Sequence, residues 1–358
     1  MQRNRKCFYW LIIFIITFNL LLGGCSSATR KGAKTGSSIS IVFADGEWES
    51  IQVHNRIAGY IAEHGYGYHP TYLAGQTTLL LKALSQGDID IMMEVWSSDY
   101  PEQWQQILKT GKVRELSCNF SAVQGWFVPE YMVEGDAERG IEPLIPELKS
   151  VQNLPRYRDI FKLSATTNQG IIFNAPRGWP AEAINQEKLK TYHLSASFKL
   201  FPSDSEQDAA ATLDQAYERG SAWLGYARDP GIITAGHKLA LLREEPFSEE
   251  QWKLGRSCSY PESKVMIAAH SSMNEKAPEL LDFLQKYATT REQNEEMLLY
   301  VKNSGGDKEQ AAQHWLQNNP DVWSQWVPEE VAEKIWADLN PGSLNKGVST
   351  IVKPDPAG

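Results

Sequence analysis

Tryptophan is the residue type with most to offer in this chain. Of the 12 present, four (Trp48, Trp96, Trp126 and Trp179) fall where short apolar runs end or helices begin. Trp96 closes the run Ile89-Asp90-Ile91-Met92-Met93-Glu94-Val95-Trp96, which the Gly87-Asp88 turn introduces and Ser97, Ser98 and Asp99 terminate. A run of that length between turn signals reads as a buried strand of an α/β sheet. Ligands sit just beyond the carboxyl ends of such strands. Trp96 is therefore placed at the rim of a cleft, where its indole face can meet a ligand. Asp45 reads either as a helix N-cap or as a carboxylate at the cleft mouth, facing a cationic ligand. The loop 175–180 feeds a helix N-terminus, whose backbone N–H groups and positive dipole end suit a carboxylate, and Trp179 stands at that mouth. Trp126 fits equally well as a cleft residue or as a core residue of its strand.

The elements that must hold these groups follow an α/β order. Residues 39–44 form a first strand, and the following helix carries Trp48 in its first turn and ends at Gly65. Residues 66–73 read as a second strand, 77–84 as a helix, and the run ending at Trp96 as a third strand. This alternation implies a mostly parallel sheet with crossover helices. Residues 124–129 form another strand that a proline ends. The charged, Gly- and Pro-containing stretch 134–149 reads as the first crossing between two lobes. In the second lobe a strand covers 171–173, a helix 181–192, a helix 205–218 and a strand 222–226, with Trp223 inside that strand. Residues 264–269 return to the first lobe, and the remainder is helical, with Trp315, Trp323, Trp326 and Trp336 packing helices onto it. The expected lobes are 39–133 with 262–358, and 134–261.

With 358 residues, the chain is long enough for two cores. A net charge of −9 leaves no basic stripe for phosphates, which argues against nucleic acid as a partner. The N-terminus has the layout of a secretory signal over 1–24: Arg3, Arg5 and Lys6, then an apolar run ending at Gly23-Gly24-Cys25. Leu22-Gly23-Gly24-Cys25 resembles the lipobox of bacterial lipoproteins, in which the cysteine (here Cys25) is lipidated. Residues 25–38 then read as a flexible tether. The expected location is extracytoplasmic, anchored to the cell membrane by lipid. Export permits disulfides, so Cys118 and Cys258 form one candidate pair, with two free thiols the alternative. Neither has Cys or His neighbours at ligand spacing, so no metal site is expected.

An enzyme is disfavoured. The sequence carries no nucleophile elbow, His-Glu-x-x-His motif, phosphate loop or dinucleotide fingerprint. The acids Asp88, Asp90 and Glu94 lie along one strand and need not converge. No cofactor is expected.

Several segments together resemble the substrate-binding proteins of ABC importers for glycine betaine, proline betaine, carnitine and choline. They are Phe43-Ala44-Asp45-Gly46-Glu47-Trp48, Gly65-Tyr66-Gly67-Tyr68, Gly87 through Trp96, Gly178-Trp179, and Ala311-Ala312-Gln313-His314-Trp315-Leu316 with Asn318-Asn319-Pro320. The resemblance implies a two-lobe periplasmic-binding-protein fold of the type II kind that closes on a quaternary ammonium inside a box of aromatic rings. Cation–π attraction supplies on the order of 2 kcal/mol where ring and cation are desolvated. Carried over by motif, Trp96 and Trp179 resemble cage residues of betaine binders, and Trp48 and Trp126 those of choline-type binders. Backbone amides near Trp179 and Ala181 are expected to face a ligand carboxylate. The implied partners are an ABC permease with its ATPase, and a monomer is expected. One position departs from the family: Arg228-Asp229-Pro230 stands where a tryptophan commonly precedes an acid-proline pair. Arg228 either clamps the acid end of a betaine-like ligand, or redirects specificity to another zwitterion or anion, or pairs with Asp229.

Overall fold

The computed structural model describes residues 39–164 and 166–341. The expected leader, Cys25 and the tether lie outside these residues. Strands β1 (Ser40–Asp45), β2 (His69–Ala74) and β3 (Ile91–Trp96) are joined by helices α1 (Glu49–Tyr60) and α2 (Thr77–Gln86). The chain then runs through α3 (Pro101–Lys109) into the long strand β4 (Val113–Pro129). The second half of the sheet holds β5 (Gly170–Pro176), α4 (Pro180–Thr191), β6 (Phe198–Ser203), α5 (Glu206–Arg219), β7 (Gly225–Asp229) and β8 (Leu239–Leu241). Strand β9 (Ser263–His270) returns to the first half, and α6 (Arg291–Asn303), α7 (Lys308–Asn318) and α8 (Glu329–Leu339) cover it.

The strand order is β2-β1-β3-β9-β4-β7-β5-β6, with β8 also on β4. The sheet is mixed rather than mostly parallel. Pairs closed by helical crossovers are parallel, namely β1 with β2 and β3, and β5 with β6 and β7. Every pair made by β4 or β9 is antiparallel. Strands were expected at 124–129 and 264–269, but alternating strands and helices report only the crossovers, so the antiparallel pairing of these two connecting strands escaped the sequence pattern. Strand β4 joins the lobes: its residues from Val113 to Ala122 pair with β9, and those from Val123 onward with β7 and β8. The change of partner therefore falls inside β4, between Ala122 and Val123.

Burial explains why the elements sit where they do. All six residues of β3 are buried, as a central strand requires. Helix α1 turns Ile51, Val53, Ile57 and Ala58 inward, and Gly87 ends α2 in a left-handed conformation at φ 85°. Trp315, Trp323 and Trp326 lie in the first lobe's core, the Trp315 and Trp326 rings stacked 5.8 Å apart, while Trp336 packs against its edge. Trp223 is buried but precedes β7 instead of lying within it, stacked on Phe173 at 5.9 Å. Cys118 and Cys258 are free thiols, which removes the candidate disulfide. Cys118 sits on the β4 stretch that pairs with Met266 of β9, whereas Cys258 is buried in the second lobe, where its carbonyl accepts from Lys188.

Candidate functional site

The carboxyl ends of β1, β3, β5, β6 and β7 converge between the lobes, as the parallel connections dictate. Trp48 follows β1, Trp96 ends β3, Trp179 follows β5, Glu206 follows β6, and Arg228 lies near the end of β7. Trp48 is the N-cap residue of α1 and is 5 % exposed. Its ring lies so close over Gly46 that a Cβ there would meet it at 2.3 Å, so glycine is required.

Glu94 orients two of the tryptophans. Its Oε2 accepts the indole N–H of Trp48 at 2.7 Å and that of Trp96 at 3.0 Å. Glu94 and Trp96 are two residues apart on one strand and so share its face. Burial raises the Glu94 carboxyl above its ordinary range, against the indole and Ser50 hydrogen bonds and the Arg228 charge that lower it. Behind Glu94, buried His54 holds Tyr287 at 2.7 Å and Asn294 at 2.9 Å. Burial lowers its pKa to about 4, so the ring is neutral near pH 7.

Arg228 occupies the space between Trp96 and Trp179. Its guanidinium carbon lies 4.0 Å from each ring centroid, one ring from each lobe. With three other side chains Arg228 closes a ring of hydrogen bonds. Arg228 Nη2 donates to Asp99 Oδ2 at 2.5 Å, and Gln124 Nε2 donates to Asp99 Oδ1 at 3.1 Å. Tyr226 donates its O–H to Gln124 Oε1 at 2.6 Å and accepts from Arg228 Nε at 3.3 Å. The antiparallel register of β4 and β7 sets Gln124 opposite Arg228 and Trp126 opposite Tyr226. Burial alone would lower the Arg228 pKa, but Tyr226, Asp99 and Glu206 outweigh it and raise it. Glu206, also buried, is pushed up to about 8 by desolvation and by Glu49 and Glu94, against the pull of Arg228.

The remaining expected residues are distributed differently. Asp45 is not the N-cap of α1; its Oδ1 accepts from Asn55 at 2.8 Å and from Arg56, which ties it to that helix. Trp126 is 2 % exposed within the second lobe's core, beside Tyr226 and Tyr131, and its indole N–H has no hydrogen-bond partner. Ala181 is buried in the first turn of α4. The Gly178 N–H just before that helix is already taken by the Glu182 carboxylate at 3.0 Å. Arg228 does not pair with Asp229, whose partner is Arg291 at 3.0 Å. Sequence reasoning missed Asp99, Gln124, Tyr226 and Glu206, and had no role for Glu94. The available signals were the shared face of Glu94 and Trp96 and the place of Asp99 immediately beyond a strand end. Among the described residues no group of His, Cys, Asp and Glu side chains could hold a metal ion. No helix among them is long and apolar enough to cross a membrane.

Residues 39–318 match the family of substrate-binding domains of ABC-type glycine betaine transport systems. The chain belongs to that family. Its members are transport substrate-binding domains, not enzymes. A curated relative, the trimethylamine N-oxide-binding protein of Pelagibacter ubique (strain HTCC1062), is 21 % identical over 322 residues, covering 88 % of this chain and 96 % of the relative. Among solved structures, a choline-binding protein of an ABC transporter in complex with choline superposes with TM-score 0.62 at 19 % identity, covering 84 % of this chain and 98 % of that one. Lactococcal OpuAC, closed on glycine betaine, superposes with TM-score 0.61 at 19 % identity, covering 81 % and 100 %. At these identities the superpositions establish the two-lobe fold.

Proposed function

We propose that this protein captures glycine betaine or a related quaternary-ammonium solute outside the cytoplasm and delivers it to an ABC permease. The observation that carries the reading is the pair of rings Trp96 and Trp179, which hold a cation at 4.0 Å on both faces. A methylated ammonium has no N–H to donate, so aromatic faces are the groups suited to it, and Trp48, fixed by the same carboxylate as Trp96, adds a third ring at the cleft. That the cation in place is the chain's own guanidinium supports a cation-accepting cage. Binding is reversible and works by closure of the lobes, with no chemical step. Lipidation at Cys25 would keep the protein beside its permease.

A thermal-shift and calorimetry screen tests this. Glycine betaine, proline betaine, carnitine, choline, trimethylamine N-oxide and simple amino acids would each be offered to the chain from Ser26 onward. A ligand that binds only the folded state raises Tm by mass action. Saturable binding of a methylated ammonium is expected, and silence across every methylated ligand refutes the reading.

A further inference from the structure

The cleft is closed on its own arginine. Arg228 is 6 % exposed, and its guanidinium fills the slot between Trp96 and Trp179. Its ion pair to Asp99 crosses from one lobe to the other, since Asp99 follows β3 and Arg228 lies on β7. Beside the cage, between Trp48, Tyr100, Arg177 and Trp179, about 50 Å³ remains open. That is room for a few waters. A quaternary ammonium therefore reaches these rings only if the guanidinium leaves them.

We infer that Arg228 is the specificity-determining residue of this cage: a tethered cation that the incoming ammonium displaces and that then pairs with the ligand's own carboxylate. This inference rests on the quaternary-ammonium reading above and narrows it to zwitterions. Charge balance makes the argument. In the unliganded site Arg228 is neutralised by Asp99. After exchange, a zwitterion's ammonium takes the aromatic slot within reach of Asp99, and its carboxylate replaces Asp99 as the partner of Arg228. Every charge stays paired. A simple cation such as choline displaces the guanidinium but brings no anion, and it leaves a second, unpaired positive charge in a buried cleft, which is unfavourable. The alternative anchor for a carboxylate, the start of α4, is compromised because Glu182 already caps the Gly178 amide. Bidentate geometry suits a guanidinium to the role.

The test is the selectivity ratio between glycine betaine and choline, measured by isothermal titration calorimetry. Arg228→Met alone leaves Asp99 buried without its partner, so the double variant Arg228→Met/Asp99→Asn is measured beside it. Its folding is checked by a cooperative melt. The wild-type protein is expected to bind glycine betaine at least about tenfold more tightly than choline, the equivalent of one recovered charge pair. In the double variant choline should tighten and glycine betaine weaken, bringing the ratio towards one or below. An unchanged ratio in a folded double variant overturns the inference, as does a wild-type protein that binds choline as tightly as glycine betaine; both leave the cage reading standing. Silence of glycine betaine, choline and every other methylated ligand on folded wild-type and folded variant overturns the cage reading itself, and this inference with it.

Discussion

Glu94 ties together two rings of the proposed cage. One of its oxygens accepts both indole N–H groups, from Trp48 at 2.7 Å and Trp96 at 3.0 Å, and the residue is fully buried. Glu94→Leu removes the acceptor and strands two buried donors. An unsatisfied buried donor costs roughly 1–3 kcal/mol, so the pair costs about 2–6 kcal/mol. Glu94→Gln keeps an acceptor oxygen of the same reach and loses only the assistance of charge, about 1 kcal/mol per bond. Urea denaturation distinguishes the two, because a stability change moves the midpoint without changing the slope. Glu94→Leu should shift the midpoint further than Glu94→Gln, by up to about threefold. It should also weaken ligand binding by about tenfold or more, since two rings worth up to about 2 kcal/mol each lose their orientation. A Glu94→Leu variant with wild-type midpoint and affinity would refute the claim that this carboxylate sets the rings.

Trp179→Ala and Trp126→Ala should separate cage from core. The first removes one cation–π face and should weaken binding about 3- to 30-fold with little loss of stability. The second empties a site within the second lobe's core and should cost about 3–5 kcal/mol of stability, as read by denaturation. Two buried groups couple stability to pH in opposite directions. His54 has a folded pKa of about 4 against 6.5 unfolded, so the unfolded chain takes its proton first and stability present above pH 6.5 is lost towards pH 4. Glu206 runs the other way: its folded pKa is about 8 against 4.5, so stability present below pH 4.5 is lost as pH rises towards 8. Glu206→Gln should therefore be more stable relative to wild type at pH 8 than at pH 5, and equal midpoints at both would count against it. Because Cys118 and Cys258 are free, a reductant should leave the Tm of the chain from Ser26 onward unchanged.

The sequence made some of this legible and not the rest, for physical reasons. The β3 run was legible because its six residues are all buried and sharply bounded by turns. The positions of Trp48, Trp96 and Trp179 at or just beyond strand ends were legible because turn signals and helix starts mark those ends. The first half of β4 was not, because its ladder with β9 shifts register between Glu115 and Ser117 and again between Cys118 and Phe120, which breaks the alternation of faces. Strand β6 carries a proline inside its run, which weakens the strand signal and suits an edge position, and the sheet order places it at the edge. Gln124 and Tyr226 act through a pairing between β4 and β7 that no local pattern encodes.

Arg228 shows how a simple rule could have gone further. The break in the aromatic pattern at Arg228-Asp229-Pro230 is visible in the sequence, and a salt bridge between the two neighbours is the obvious bland explanation. Successive residues of a strand point to opposite faces, so Arg228 and Asp229 were poorly placed to pair once both were assigned to a strand end. Asp229 indeed turns to Arg291, and Arg228 turns to the cleft. A buried guanidinium facing a cleft needs an anion, and an acid just past the end of a neighbouring strand is one placed to reach it. Asp99, three residues beyond Trp96, meets that condition. The same reasoning ties the ligand to the protein: whatever carries Arg228 out of the aromatic slot has to supply, or leave within reach, the negative charge that Asp99 supplies now.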